Sequence, residues 1–241
     1  MITKGPLWII YCSYIALSMI LSKIMTIMIY FHQMRFRDFK SFYTQYLKQH
    51  LKKEFPQLLS YNRFIELMPS ILILMCAFIQ AQSKTQTGIY FVDATTIDIC
   101  HVKRVASNRV FKGIAKKGKS SMGWFFGFKL HLVINDKGEI MAFKLTQATT
   151  DDREPVPSLT ENLVGKLVGD RGYISQKLFD PLFEKGLQLI TKIKKNISQI
   201  EHSRHRSINN FMVNLLSGIA AYTLQPKKPS LILCSKQLIA C

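Results

Sequence analysis

The chain has 241 residues, 48% of them hydrophobic, and its 33 Lys+Arg against 15 Asp+Glu give a formal net charge of +18. So apolar a chain can bury a core, which excludes a disordered basic tail, and its length suits one large domain or a domain with a small appendage. The five cysteines, Cys12, Cys76, Cys100, Cys234 and Cys241, form no C-x-x-C pair; this argues against a structural zinc site or a disulfide framework and fits a reducing, cytosolic setting. The excess of positive charge points to a polyanionic partner, either nucleic acid or an anionic membrane surface.

The first apolar run, Pro6 to Phe31, carries one charge, Lys23. Its uninterrupted part, Pro6 to Leu21, is 16 residues long (21 − 6 + 1), short of the roughly 17 to 25 that a spanning helix needs. Carrying the span on to Phe31 would bring Lys23 into or near the hydrocarbon, at about 2.5 to 3.5 kcal/mol if central. Lys4 before the run resembles the start of a signal peptide, but no small-residue cleavage pattern follows. The run reads as one buried helix or a pair, with a membrane segment as the competing reading.

From Phe31 to Phe55 aromatic and basic residues interleave, and Leu47, Leu51 and Phe55 recur at the spacing of a basic amphipathic helix that Pro56 stops. Ser60 caps a short helix through Leu67, Pro69 breaks it, and a further helix runs to about Gln80. Within it the apolar run Ile71 to Ile79 is too short to span a membrane. The polar stretch 81–88 reads as a linker between a helical N-terminal region, 1–80, and a second region, 89–241. No internal repeat or low-complexity tract is present.

After the linker the pattern turns to strands. Ile89 to Val92 is a short apolar run ending at Asp93, Met122 to Ile134 gives a second strand, and Asn135 to Gly138 form a turn into a third, Ile140 to Leu145. Pro155 opens a helix to about Val164, with Asp151 or Asp152 as its N-cap. Lys166 to Gly169 is a buried strand ending at Asp170; Arg171 to Tyr173 turn; Ser175 caps a helix to about Lys185; Leu187 to Ile193 is another strand. Ser207 caps a last apolar helix, Ile208 to Leu224, closed by Pro226. Three strands, helix, strand, helix, strand and helix is the order of an α/β RNase H-like mixed sheet with flanking helices.

Two acids stand at strand ends, where α/β folds place ligands. Asp93 and Asp170 lie 77 residues apart (170 − 93). If their strands are neighbours the carboxylates converge, and paired hard oxygen ligands without His or Cys suit Mg²⁺ or Mn²⁺. Two such ions clamp the attacking and leaving oxygens of an in-line phosphoryl displacement. Taken singly, either Asp is more readily a helix cap or a turn former; together, in this topology and in a chain of +18, they read as a metal site.

FVDATTIDICH, the block GIAKKGKSSMGWFFGFKLHL from Gly113 to Leu132, GDRGYISQKLF and the tail IEHSRHRSINNFMVNLLSGIAAYTLQPKKPS together resemble the DDE transposases of bacterial insertion sequences. The resemblance covers about Leu21 to Ser230 and rests on the ordered set rather than on any single motif. It implies a catalytic core using two divalent metal ions, and a helical N-terminal region that helps bind the element's terminal inverted repeats. Asp93 matches the family's first carboxylate and Asp170 its second. The implied chemistry is cleavage of a phosphodiester by a metal-activated water and attack of the released 3′-hydroxyl on target DNA.

The third family carboxylate, a Glu on a helix after the last strand, has no clear counterpart. The resemblance leads us to expect an arginine-rich segment with an Ile-Glu-Thr type core between the equivalents of Asn196 and Ile197. Here Lys195 and Asn196 run directly into Ile197, and the helix from Ile208 to Leu224 contains no acid. Downstream of Glu184 only Glu201 remains, 31 residues after Asp170 (201 − 170). Ile197 and Ile208 stand where the family's offsets place Arg and Lys. The chain therefore reads as having lost an internal segment near 196–197, with Glu201 as the doubtful third catalytic residue. Glu201 reads more readily as an ordinary acid answering Arg204 and Arg206 on a solvated face.

Between Asp98 and Asp136 there is no acid, while Lys103, Arg104, Arg109, Lys112, Lys116, Lys117, Lys119 and Lys129 are basic. Placed between the first two strands, this excursion is expected beside the carboxylates, contacting DNA backbone. Lys192, Lys194, Lys195, His202, Arg204, His205 and Arg206 form a second basic patch. Trp124, Phe125, Phe126 and Phe128 read as strand packing before base stacking. The expected partners are double-stranded DNA, both inverted repeats and target, and further copies of the chain assembled on it, in the cytoplasm with the nucleoid. Two readings compete with a transposase: a non-catalytic DNA-binding remnant, and a membrane-anchored basic protein.

Overall fold

The structure, a computed structural model, describes residues 6–34, 36–82, 84–120, 123–191, 207–226 and 228, with side-chain surroundings from residue 20 onward. The chain divides into two compact units, Met1–Gln82 with His205–Gln225, and Ser83–Arg204 with Pro226–Cys241.

In the first unit, α1 (Pro6–Gln33) is one continuous helix, and its second half buries Ile24, Ile27, Met28 and Phe31. The chain then breaks, and Asp38 restarts it by accepting a 2.8 Å bond from the Ser41 N–H. The helix α2 (Phe39–Ser41) passes through a π-helical stretch, Phe42–Leu47, into α3 (Lys48–His50). Phe42, Tyr43 and Leu47 are buried, packed among the rings of Phe31, Phe39 and Phe64. This helix ends at His50, short of the expected Phe55, and the Tyr43 hydroxyl donates to the Leu59 carbonyl at 2.7 Å.

Ser60 caps α4 (Tyr61–Leu67), its Oγ accepting from the Arg63 N–H. Pro69 bends the chain without ending it: it sits in the first turn of a 3₁₀ stretch, Met68–Ile71, where its missing N–H costs nothing, and α5 (Leu72–Ala81) follows directly. The resulting helical stretch Tyr61–Ala81, 21 residues long, is by length and composition apolar enough to cross a membrane, so the expectation drawn from Ile71 to Ile79 alone understated it. The same test is passed by a core helix, and this one buries Phe64, Met68, Ile71, Met75 and Ile79. The last helix, α8 (Ile208–Thr223), belongs to this unit and packs on α1 and α5. The sequence reading had grouped it with the strands.

The second unit is a six-stranded mixed sheet. Its strands are β1 (Ile89–Cys100), β2 (Lys116–Ser120), β3 (Gly123–Asn135), β4 (Ile140–Gln147), β5 (Gly165–Gly169) and β6 (Leu187–Thr191). The order is β2-β3-β1-β5-β6, with β4 also on β3. β1 follows one edge of β3 along most of its length, while β2 and then β4 follow the other. Apart from β2, the arrangement is three antiparallel strands followed by two parallel ones, β5 and β6, reached through helical connections: the RNase H-like topology. The helices are α6 (Val156–Leu159) and α7 (Gln176–Glu184), and Val156, Leu159, Leu178 and Leu182 pack on Tyr90, Val92, Val133 and Leu167 of the sheet.

Four expectations are corrected. β1 does not stop at Asp93: Thr95, Thr96, Ile97 and Ile99 continue it against β3 to Cys100. β2 was not foreseen. The helix expected from Pro155 to Val164 is a single turn, and neither Asp151 nor Asp152 caps it. Asp151 instead accepts from the Arg153 N–H and pairs with its guanidinium, which holds its carboxyl far below the usual range. The linker is anchored to the sheet, with Lys84 donating to the Met141 carbonyl and the Thr85 N–H to Glu139.

Candidate active site

Asp93 is the fifth residue of β1, half-buried, with Oδ1 accepting a 2.8 Å bond from the Ala94 N–H. Only the first part of β1 pairs with β5, in parallel, at Ile89↔Lys166, Tyr90↔Leu167 and Phe91↔Val168. The same offset, 77 residues (166 − 89), carried two residues further relates Asp93 to Asp170, on adjacent strands spaced about 4.8 Å apart. Asp170 follows the last residue of β5 and caps the turn Arg171–Tyr173, its Oδ1 accepting from the Gly172 N–H at 2.9 Å. Asp93 thus lies at the carboxyl end of the parallel pairing, although not at the end of its strand.

Each carboxylate spends Oδ1 on a neighbouring N–H, and among the described residues Oδ2 of each makes no hydrogen bond. Burial pushes the Asp93 carboxyl above its ordinary range; the Ala94 N–H opposes this, and the nearby charges of Asp170 and Asp152 add to it. Two converging carboxylates with a free oxygen apiece fit a hard divalent cation, which would relieve that repulsion. No group of three or more His, Cys, Asp or Glu side chains gathers tightly enough to hold a metal among the described residues.

Two neutral groups are missing from the sequence reading, Tyr173 beside the pair and His131 on the face of β3 that Ala94 shares. Tyr173 is 2% exposed and its hydroxyl has no partner among the described residues. Burial first, then the charges of Asp152, Asp93 and Asp170, hold its proton on far above the usual phenol range. Its ring covers Gly169, where a Cβ would come within 3.0 Å of it; this explains a glycine immediately before Asp170. His131, on β3 opposite Ala94, is 1% exposed, with Nε2 2.7 Å from the Thr146 hydroxyl and Nδ1 without a partner among the described residues. Burial lowers its pKa, so the ring is neutral near pH 7.

Lys129 is not a free DNA-binding cation. It is 14% exposed, pairs with Asp152 at 2.9 Å and donates to the Thr150 carbonyl. Lys103, Arg104, Arg109, Lys112, Lys116, Lys117 and Lys119 are exposed. Because β1 runs on to Cys100, however, their excursion starts seven strand residues (100 − 93) beyond Asp93, roughly 23 Å away, and not beside it. Phe125, Phe126 and Phe128 are buried as strand packing, whereas Trp124 is exposed. Glu201, Lys194, Lys195, Arg204 and Arg206 lie outside the described residues, as do Lys192, His202 and His205.

Residues 83–198 match the family described as "Transposase DDE domain". The matched stretch, somewhat under half of the chain, holds both Asp93 and Asp170 and is similar to that family. The chain is also similar to a piggyBac transposase synaptic complex with hairpin DNA, at 10% identity and a TM-score of 0.41, covering 76% of this chain and 43% of that one. With the Mos1 mariner paired-end complex with Mn the identity is 12% and the TM-score 0.28, covering 56% and 44%. The chain thus spans less than half the length of these solved transposases. No curated protein matches it.

Proposed function

We propose that the chain is a DNA transposase of an insertion sequence, cleaving the ends of its element and transferring them to target DNA. The observation that carries this is the shared offset of Asp93 and Asp170 on adjacent parallel strands within a stretch matched to the transposase DDE domain. The two carboxylates would hold Mg²⁺ or Mn²⁺ through their free oxygens. Bound there, two ions would activate a water and neutralise the charge developing on the phosphodiester. Asp93 and Asp170 fix the position of that chemistry, Tyr173 and Val92 close the sheet beneath it, and the exposed lysines and arginines from Lys103 to Lys119 draw in the phosphate backbone. Glu201 is the candidate third carboxylate. Terminal inverted repeats, target DNA, assembly of several copies on DNA and a place in the cytoplasm with the nucleoid complete the proposal.

The test is cleavage of DNA carrying the element's ends by purified protein with Mg²⁺ or Mn²⁺. The expected result is release of a 3′-hydroxyl, lost in Asp93→Asn and in Asp170→Asn. Loss in Glu201→Gln as well would identify the third carboxylate and refute the loss of an essential segment near 196–197. A second reading, a DNA-binding remnant without catalysis, is favoured by the lack, among the described residues, of a third acid close enough to share a metal ion with the pair. It predicts salt-sensitive DNA binding with no cleavage under either metal. Partition of the protein with membranes after lysis would contradict both readings.

A further inference from the structure

The hairpin β2–β3 reaches beyond the rest of the sheet. β1 pairs with β3 only as far as Cys100↔Phe126, so Gly123, Trp124 and Phe125 pair with β2 alone. On this two-stranded ribbon Trp124 stands opposite Lys119, and Phe126 opposite Lys117. Strand alternation therefore puts Lys117, Lys119 and Trp124 on one face, and all three are exposed. Trp124 is 65% exposed, on a strand whose next four residues are buried. No aromatic ring or cation stacks on it among the described residues. The opposite face of the ribbon is closed by Phe125 and by Gly118, where a Cβ would run into Ala148. One face holds the hairpin on the sheet, and the other presents an indole opposite one lysine and diagonal to a second.

The same face leads to the carboxylates. Along β3, residues 124, 126, 128, 130 and 132 alternate onto one side, and Leu132 is the partner of Asp93. The eight residues from Leu132 to Trp124 span roughly 26 Å, and the intervening segment has no acid between Asp98 and Asp136.

Resting on the transposase reading, we propose that Trp124 is a stacking site for an unpaired DNA base, with Lys117 and Lys119 holding the flanking phosphates. A solvent-facing indole costs apolar exposure that a packed strand would bury, and a nucleobase supplies a flat π-face whatever its identity. The paired lysines select a polyanionic partner over a second copy of this basic chain.

The test uses the full chain with Trp8→Phe, which leaves Trp124 as the only one of the chain's two tryptophans. Its emission and DNA affinity are followed with a blunt duplex and with the same duplex carrying a short thymine overhang. The overhang is expected to quench Trp124 emission and the blunt duplex to leave it nearly unchanged. Trp124→Ala is expected to weaken overhang binding by about 5- to 150-fold, the range of one base stacked on an aromatic ring, with Trp124→Phe largely restoring it and duplex affinity constant throughout. An unchanged ratio of overhang to duplex affinity in Trp124→Ala, without quenching, would overturn the stacking site while leaving the transposase reading intact. A protein-concentration-dependent blue shift without DNA would overturn it in favour of self-association. Failure of the unsubstituted chain to bind either DNA would refute the transposase reading itself.

Discussion

One face of the sheet formed by β1 and β3 has two ends of opposite character. At one end Asp93 is half-buried beside Asp170, with carboxyl oxygens turned to single backbone N–H groups and, nearby, a buried tyrosine whose hydroxyl has no partner among the described residues. At the other, Lys117, Lys119 and Trp124 stand exposed on a two-stranded ribbon. Bare carboxylates repel a phosphodiester, so under the proposed function the acidic end would need metal cations before DNA could approach, whereas the basic end would attract DNA unaided. The proposed function thus puts binding and chemistry on residues about 26 Å apart along one strand, and substitutions should separate them.

The largest separation is expected at the acids. Asp170→Asn and Asp93→Asn should each lower metal-dependent cleavage by about a thousandfold or more while leaving DNA affinity within a few-fold, as measured by end-cleavage and anisotropy on one preparation. At the basic end, the double change Lys117→Ala with Lys119→Ala should do the reverse. Duplex binding should weaken, and the slope of log affinity against log salt should become shallower by about 0.9 for each phosphate contact removed.

A smaller effect is expected between the two ends. Lys129 neutralises Asp152 and ties down Thr150 with a side chain only 14% exposed, so Lys129→Met should cost about 1–2 kcal/mol in urea unfolding. The smallest is a pH effect at Asp93. Its carboxyl is raised by burial, so the native state takes up that proton at higher pH than the unfolded chain. The associated stability is complete below the ordinary carboxylate range and lost as pH rises through the raised value. In chelator at pH 7, Asp93→Asn should therefore melt a few degrees above the unsubstituted protein, with the gap closing as pH falls below about 4.

How much was legible follows from which signals are local. β5 and its acid were readable because a short apolar run ends in Asp-Arg-Gly, and the equal offset of the two acids was already in the numbering. The length of β1 was misjudged because Asp93 looks like a terminator, yet the β-branched Thr95, Thr96 and Ile97 carry the strand past it. β2 could not be read: Lys116, Lys117, Gly118, Lys119 and Ser120 have no apolar alternation, and only pairing with β3 makes them a strand. Trp124 was grouped with three buried phenylalanines because composition does not reveal where β1 stops supporting β3. Tyr173 left a trace in Gly169, but its orphaned hydroxyl, like the neutral His131, exists only in the folded arrangement. α8 is apolar enough for either unit, so its sequence did not say which it joins.

Titration with Mn²⁺ by calorimetry tests most directly whether Asp93 and Asp170 form one metal site. The account predicts that the unsubstituted chain binds Mn²⁺ and that Asp93→Asn and Asp170→Asn each weaken it by about 10- to 100-fold or more, with the double variant no weaker than the worse single one. Undiminished Mn²⁺ binding in either single variant would contradict it.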